Sequence, residues 1–224
     1  MLQLWTWLHQ GYIQSKFMSS IHFEDYFEPL MEFMESLPPE ERVVLVGHSM
    51  SGICISVAME RFPEKISASV FAAAVMPGPD LSFKAIAEKS SQRSVPSMDT
   101  QFVFGNGPDN PPTALVLGPN YMASRFYRLS PPEDLTLATL LLRPFPIYSS
   151  LETEKAVVVT KEKYGSVRRI YVVCDEENDP KQTWMIENNP VDEVIVISDS
   201  DHMAMFSKPQ EFCSCLLDIG DRYL

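Results

Sequence analysis

Basic residues are scarce in this sequence: 18 lysines and arginines stand against 30 aspartates and glutamates, which gives a formal net charge of −12. Nucleic acids and anionic membrane surfaces attract positively charged proteins, so this balance argues against both kinds of partner. No stretch approaches the roughly 20 apolar residues that a membrane span needs. The apolar start of the chain, 1–8, lacks a cationic residue and a small-residue cleavage site, which argues against a signal peptide.

Cysteines are also few, and the four are Cys54, Cys174, Cys213 and Cys215. Their spacing matches neither a metal site nor a disulfide-stapled scaffold, so we expect reduced thiols in a cytoplasmic protein without metal or cofactor. The chain is 45% hydrophobic and has no internal repeat or low-complexity tract. This composition predicts a single globular domain over 1–224 that buries its own core.

Residues 43–53, VVLVGHSMSGI, contain the most informative pattern in the chain. An apolar, β-branched run breaks at Gly47, exposes Ser49 and continues into a helical pattern, which is typical of the strand-to-helix turn that carries a nucleophilic serine. Such a turn is cramped, so its flanking residues must be small. Ser51 stands where the motif usually has a second glycine, and Gly52 follows it. We therefore predict that Ser49 is a nucleophile.

A serine nucleophile needs a base, and the four histidines leave few candidates. Two of them precede the motif, and strand alternation predicts that His48 points away from Ser49. His202 follows a predicted strand over 193–197 and lies in a polar loop. The order serine, acid, histidine along the chain is that of α/β-hydrolases, so His202 is the predicted base.

The acid is expected in the loop 175–179, which follows a predicted strand over 169–174. This position alone does not choose among the four carboxylates there, which are Asp175, Glu176, Glu177 and Asp179.

The remaining pattern predicts a parallel sheet with an insertion. We predict helices over 23–36, 50–61, 133–142 and 209–219 and a further strand over 67–76. Prolines cluster between 77 and 163, and the hydrophobic periodicity of the core strands and helices is interrupted there. This segment is predicted as a helical cap inserted over the site.

Further motifs are spread over residues 21–224, for example FEPLMEFM (27–34), SLPP (36–39), FPEKIS (62–67), YGSV (164–167) and DHMAM (201–205). Together with the serine motif, they resemble the plant methylesterase and hydroxynitrile lyase family of α/β-hydrolases. The resemblance implies that Ser49 is the nucleophile, His202 the general base and the backbone N–H of Met50 an oxyanion-hole donor. The acid of this family lies three residues after the strand that ends in cysteine, at Glu177 here, and Asp175 or Asp179 remain alternatives.

The residue after the histidine separates the branches of this family. Lyases of this type carry a lysine there, whereas this chain has the neutral thioether of Met203, which favours ester hydrolysis. The segment 106–115 also resembles the methylketone synthase branch, in which alanine replaces the nucleophile, and Ser49 argues against that chemistry.

The function implied is hydrolysis of small methyl esters, such as methyl salicylate, methyl jasmonate or methyl indole-3-acetate. The alternative is a catalytically impaired fragment, or a member that only binds a small ligand. The expected binding partner is the small ester substrate. A homodimer is the candidate assembly.

Residues 1–20 fit no segment of this family in the reading frame given, although shifted codons for 1–12 permit a family-like segment. Family members begin with a strand and a His-Gly loop that supplies a second oxyanion-hole donor, and neither is found here. We therefore expect an N-terminally truncated α/β-hydrolase fold that lacks the usual first strands. The strand over 43–46 would then lie at a sheet edge.

Overall fold

The structure is a computed structural model of the 224-residue chain, and it describes residues 22–91, 98–174 and 180–224. The predictions for residues 1–20 and for the acidic loop 175–179 lie outside these ranges.

The described strands are β1 (Val43–His48), β2 (Ile66–Ala72), β3 (Gln101–Val103), β4 (Ala114–Val116), β5 (Phe145–Pro146), β6 (Arg169–Cys174) and β7 (Glu193–Ile197). The described α-helices are α1 (Glu28–Ser36), α2 (Ser51–Arg61), α3 (Phe83–Ser91), α4 (Pro119–Tyr121), α5 (Pro132–Leu141), α6 (Ser150–Ala156), α7 (Pro180–Asn188), α8 (Ala204–Ser207) and α9 (Pro209–Tyr223). Short 3₁₀ helices cover Phe23–Tyr26, Pro63–Lys65 and Tyr164–Ser166, and a π-helical turn covers Met122–Phe126. None of the helices described is both long and apolar enough to cross a membrane.

A four-stranded parallel sheet in the order β1-β2-β6-β7 forms the centre of the molecule. Parallel neighbours require crossover connections, and α2 and α7 supply them between β1 and β2 and between β6 and β7. The carboxyl ends of these strands therefore meet at one edge of the sheet. Within the described ranges, β1 is an outer strand, as the sequence predicts.

Both faces of the sheet are covered, which explains the nearly continuous apolar strands. Alternation along β2 and β6 places Phe71 and Tyr171 on one face, where they pack with buried residues of α1 and α2. Val70 and Val172 face the other side and pack in a second cluster with Phe212 of α9. The sheet thus forms the middle of three layers.

Two predicted elements are shorter than expected. The helix predicted over 23–36 is a 3₁₀ turn followed by α1, because Pro29 lies in the first turn of a new helix. The strand predicted over 67–76 ends at Ala72, because Ala73 has a φ of 44° and turns the chain. The N–H of Val75 then bonds to the carbonyl of Ser49. The strands predicted over 169–174 and 193–197 are confirmed.

The segment 77–163 contains helices α3 to α6, as a helical insertion would. It also contains a three-stranded antiparallel sheet in the order β3-β4-β5, which was not predicted. These strands are two or three residues long and β5 includes a proline, so they carry too little periodic pattern to be recognised.

Candidate active site

Ser49 lies in the turn between β1 and α2, at the carboxyl edge of the sheet. Its φ is 55°, in a region that residues other than glycine rarely adopt. Three backbone hydrogen bonds hold it there: its N–H donates to the Ala72 carbonyl at 3.3 Å, and its carbonyl accepts from Gly52 at 3.3 Å and from Val75 at 2.9 Å. Strain of this kind is commonly held at functional sites, and here it projects the serine from the end of the strand.

The small residues around Ser49 are required by close packing. A Cβ at Gly47 would lie 2.9 Å from Ile55 Cδ1 and 2.9 Å from the Ser51 carbonyl oxygen. A Cβ at Gly52 would overlap the carbonyl oxygen of Val75. The helix therefore packs closely against the backbone of Val75 at Gly52, one residue after the position where the motif usually has its second glycine.

We predict that Gly52→Ala destabilises the protein by about 1–3 kcal/mol or more, because the rigid Val75 backbone cannot yield to the added methyl group. Gly165→Ala is the matched control, since the nearest atoms to its added Cβ lie at 3.8 Å. Denaturant unfolding of both variants measures the difference in the free energy of unfolding. Equal stabilities of the two variants would show that α2 can shift to accommodate the methyl group.

His202 lies in the loop between β7 and α8, and it reaches Ser49 across the edge of the sheet. Its Nε2 is 3.0 Å from Ser49 Oγ, within hydrogen-bonding distance, although 153 residues separate the two along the chain. This is the geometry of a nucleophile beside its base.

Burial lowers the pKa of His202 from 6.5 to about 3, and the electrostatic interactions of its protonated form with His48 and Lys181 act in the same direction. The imidazole is consequently neutral at neutral pH. A neutral Nε2 can accept the proton of Ser49.

The acid candidates Glu177, Asp175 and Asp179 fall in the loop 175–179, outside the described residues.

His48 contacts the loop that carries His202, although strand alternation predicts that its side chain points away from Ser49. Its Nε2 lies 2.8 Å from the carbonyl oxygen of His202, and the two rings are 4.7 Å apart. A carbonyl oxygen only accepts, so His48 Nε2 carries a proton and donates it. Burial lowers the pKa of His48, which keeps the ring neutral. Alternation predicts the direction of His48 relative to Ser49, but not that the His202 loop packs on that side.

Met50 follows Ser49 directly and is the N-cap residue of α2. The first N–H groups of a helix have no acceptor within it, so a donor here can face an oxygen bound at Ser49. A small cavity of about 50 Å³ lies beside the serine and histidine, and it is lined by Ser49, Ala73, Val75, Cys174, Lys181, Gln182, Met185 and His202.

The segment 77–163 reaches the site through Phe126. The ring of Phe126 stacks on the imidazole of His202, with 4.7 Å between centroids and 28° between planes. Phe126 belongs to the π-helical turn, a feature that is frequent at functional sites. The imidazole is thus covered by an aromatic ring on one side and approached by His48 on another.

A model of the alpha/beta hydrolase family matches residues 9–214. The chain belongs to this family. Methyl jasmonate esterase 1 from Vitis vinifera is 52% identical to it over 203 residues, covering 89% of this chain and 78% of that protein. Polyneuridine aldehyde esterase from Rauvolfia serpentina is 42% identical over 215 residues, covering 93% and 81%.

Among solved structures, tomato methylketone synthase I complexed with 2-tridecanone superposes on this α/β hydrolase with a TM-score of 0.86. It is 45% identical, and the match covers 91% of this chain and 80% of that one. The fold class and the resemblance to plant methylesterases that the sequence predicts are confirmed.

Proposed function

We propose that this carboxylesterase hydrolyses small methyl esters, with Ser49 as nucleophile and His202 as general base. The observation that carries the proposal is the 3.0 Å contact between Ser49 Oγ and His202 Nε2 at a strained strand-to-helix turn. The named esterases among its plant relatives support the reaction class.

In the first half of the reaction, Ser49 Oγ bonds to the ester carbonyl carbon while His202 Nε2 takes the hydroxyl proton. The carbonyl oxygen becomes an oxyanion that the N–H of Met50 faces. The bond to the methoxy oxygen then breaks, and methanol leaves with the proton that His202 returns. An acyl group remains on Ser49.

In the second half, water attacks the acyl carbon and His202 accepts its proton. The bond to Ser49 Oγ breaks, the carboxylic acid is released and the serine regains its proton. We propose Glu177 as the carboxylate that orients His202, with Asp175 and Asp179 as alternatives, because the resemblance places the acid three residues after the strand that ends in cysteine, which is β6 here.

We propose that the acid part of the substrate is a small plant hormone such as jasmonate, salicylate or indole-3-acetate. Similarity to methyl jasmonate esterase 1 and to salicylic acid-binding protein 2 from Nicotiana tabacum, which is 42% identical over 204 residues, supports this class. We further propose that 1–224 forms one domain with 77–163 as its cap, that the protein acts in the cytoplasm and that it forms a homodimer.

The test is an assay of the purified protein with methyl salicylate, methyl jasmonate and methyl indole-3-acetate. We expect at least one to be converted to its acid and methanol, with no conversion by Ser49→Ala. Binding of the free acids without turnover of any ester would contradict the esterase proposal and favour a ligand-binding protein.

A further inference from the structure

Asp201, the residue before His202, is a carboxylate that is only 1% exposed to solvent. Its Oδ2 accepts hydrogen bonds from the backbone N–H of Leu129 at 2.9 Å and of Ser130 at 2.8 Å, and from Ser130 Oγ at 2.8 Å. Its Oδ1 accepts from the N–H of Met203 at 2.9 Å. A buried carboxylate is costly unless donors surround it, and these four bonds satisfy it.

The two carboxylate oxygens hold different parts of the chain. Oδ2 holds residues 129 and 130, which belong to the segment 77–163, whereas Oδ1 holds the backbone directly after His202. The bond from the Met203 N–H to Asp201 Oδ1 therefore closes a short turn that contains His202. His48 Nε2, from the end of β1, donates to the His202 carbonyl and holds the same turn.

The same stretch of 77–163 also touches the imidazole itself. Phe126, which stacks on His202, lies three residues before Leu129. Asp201 consequently fixes the stretch that carries Phe126 as well as the backbone that carries His202. A shift of either would change the direction in which His202 Nε2 points.

We propose that Asp201 is a positioning residue for the esterase reaction, which ties residues 126–130 to His202 and so aims its Nε2 at Ser49 Oγ. This inference rests on the proposed function. Asp201 does not touch the reacting atoms, and its effect on the rate passes through the orientation of His202.

The test compares Asp201→Asn with Ser130→Ala. Asparagine has nearly the same volume as aspartate, but its amide nitrogen accepts no hydrogen bond. Either the donors of Leu129 and Ser130 or the N–H of Met203 therefore lose their acceptor. We expect kcat per titrated active site to fall about 10- to 100-fold in Asp201→Asn, the size expected when a reacting group is misplaced by about 1 Å. Ser130→Ala removes one bond of the four and should lower kcat less, by about two- to fivefold.

Glu60→Gln is the matched control. The Glu60 carboxylate also accepts from a backbone N–H and a hydroxyl of 77–163, both from Thr160, and from the N–H of Tyr164. It lies in the last turn of α2, about 15 Å along that helix from the nucleophile. Glu60→Gln should lower the melting temperature without changing kcat per active site.

The rate of labelling by a small fluorophosphonate probe, which needs the base but few contacts with an acyl pocket, should fall with kcat while KM changes little. Unchanged kcat and labelling in folded Asp201→Asn would overturn the inference, as would equal losses in Glu60→Gln. If Asp201→Asn does not fold, Ser130→Ala decides in the same way. Failure of the wild-type protein to hydrolyse any ester would instead refute the proposed function.

Discussion

Ser49→Ala is expected to lower the rate of methyl ester hydrolysis by about 10⁴- to 10⁶-fold, because no acyl intermediate can form without the hydroxyl. Alanine has the same Cβ as serine, so the substitution adds no steric demand at the positive φ of this turn. The fold should be retained, and the melting temperature should change little. The measurement is the initial rate of acid release, together with labelling by a fluorophosphonate probe.

Ser36→Ala is the control for this prediction. Ser36 ends α1, and its hydroxyl is bonded to the Phe33 carbonyl, in an exposed position. We expect wild-type rates and labelling from this variant. Labelling that persists in Ser49→Ala would show that another residue reacts with the probe and would reject Ser49 as the nucleophile.

His202→Ala is expected to cost a comparable factor, about 10⁴- to 10⁶-fold, because a neutral serine hydroxyl is a weak nucleophile without its base. Residues that act as a unit are not additive, so Ser49→Ala/His202→Ala should be no slower than Ser49→Ala alone. Rates of ester hydrolysis for the two single variants and the double variant test both statements.

His22→Ala serves as the control, because His22 is an exposed histidine whose Nδ1 lies 3.7 Å from Glu152 Oε1, outside the site. It should retain full activity. A double variant that is slower than the wild type by the product of the two single effects would mean that Ser49 and His202 act independently, in contradiction to a shared proton transfer.

Local sequence was sufficient for the elements with strong patterns. The β-branched run before Gly47 predicted β1, and the small residues around Ser49 predicted the turn that holds it at a φ of 55°. The end of β2 was missed, because the turn at Ala73 is held by the bond from Val75 to Ser49, which joins residues that are distant in sequence.

The same distinction between local pattern and long-range contact applies to the candidate site. Ser49 and His202 were predicted as nucleophile and base from residue type, order along the chain and family motifs. The contacts of His48 and Phe126 with His202, and the link from Asp201 to residues 129 and 130, were not predicted, because they depend on how three separate segments pack together. Period-two alternation describes one strand and contains no information about a loop 154 residues away.

The sequence by itself determined the parallel α/β architecture and predicted the turn at Ser49 and the pairing of this serine with His202, because these depend on local sterics, hydrophobic periodicity and residue chemistry. Only the tertiary structure decided that Ser49 Oγ and His202 Nε2 lie 3.0 Å apart and that Asp201 joins the His202 loop to residues 129 and 130. Such contacts arise when the strand ends meet at one edge of the sheet and an inserted segment docks on them. Their geometry is set by packing across the whole domain rather than by any one segment.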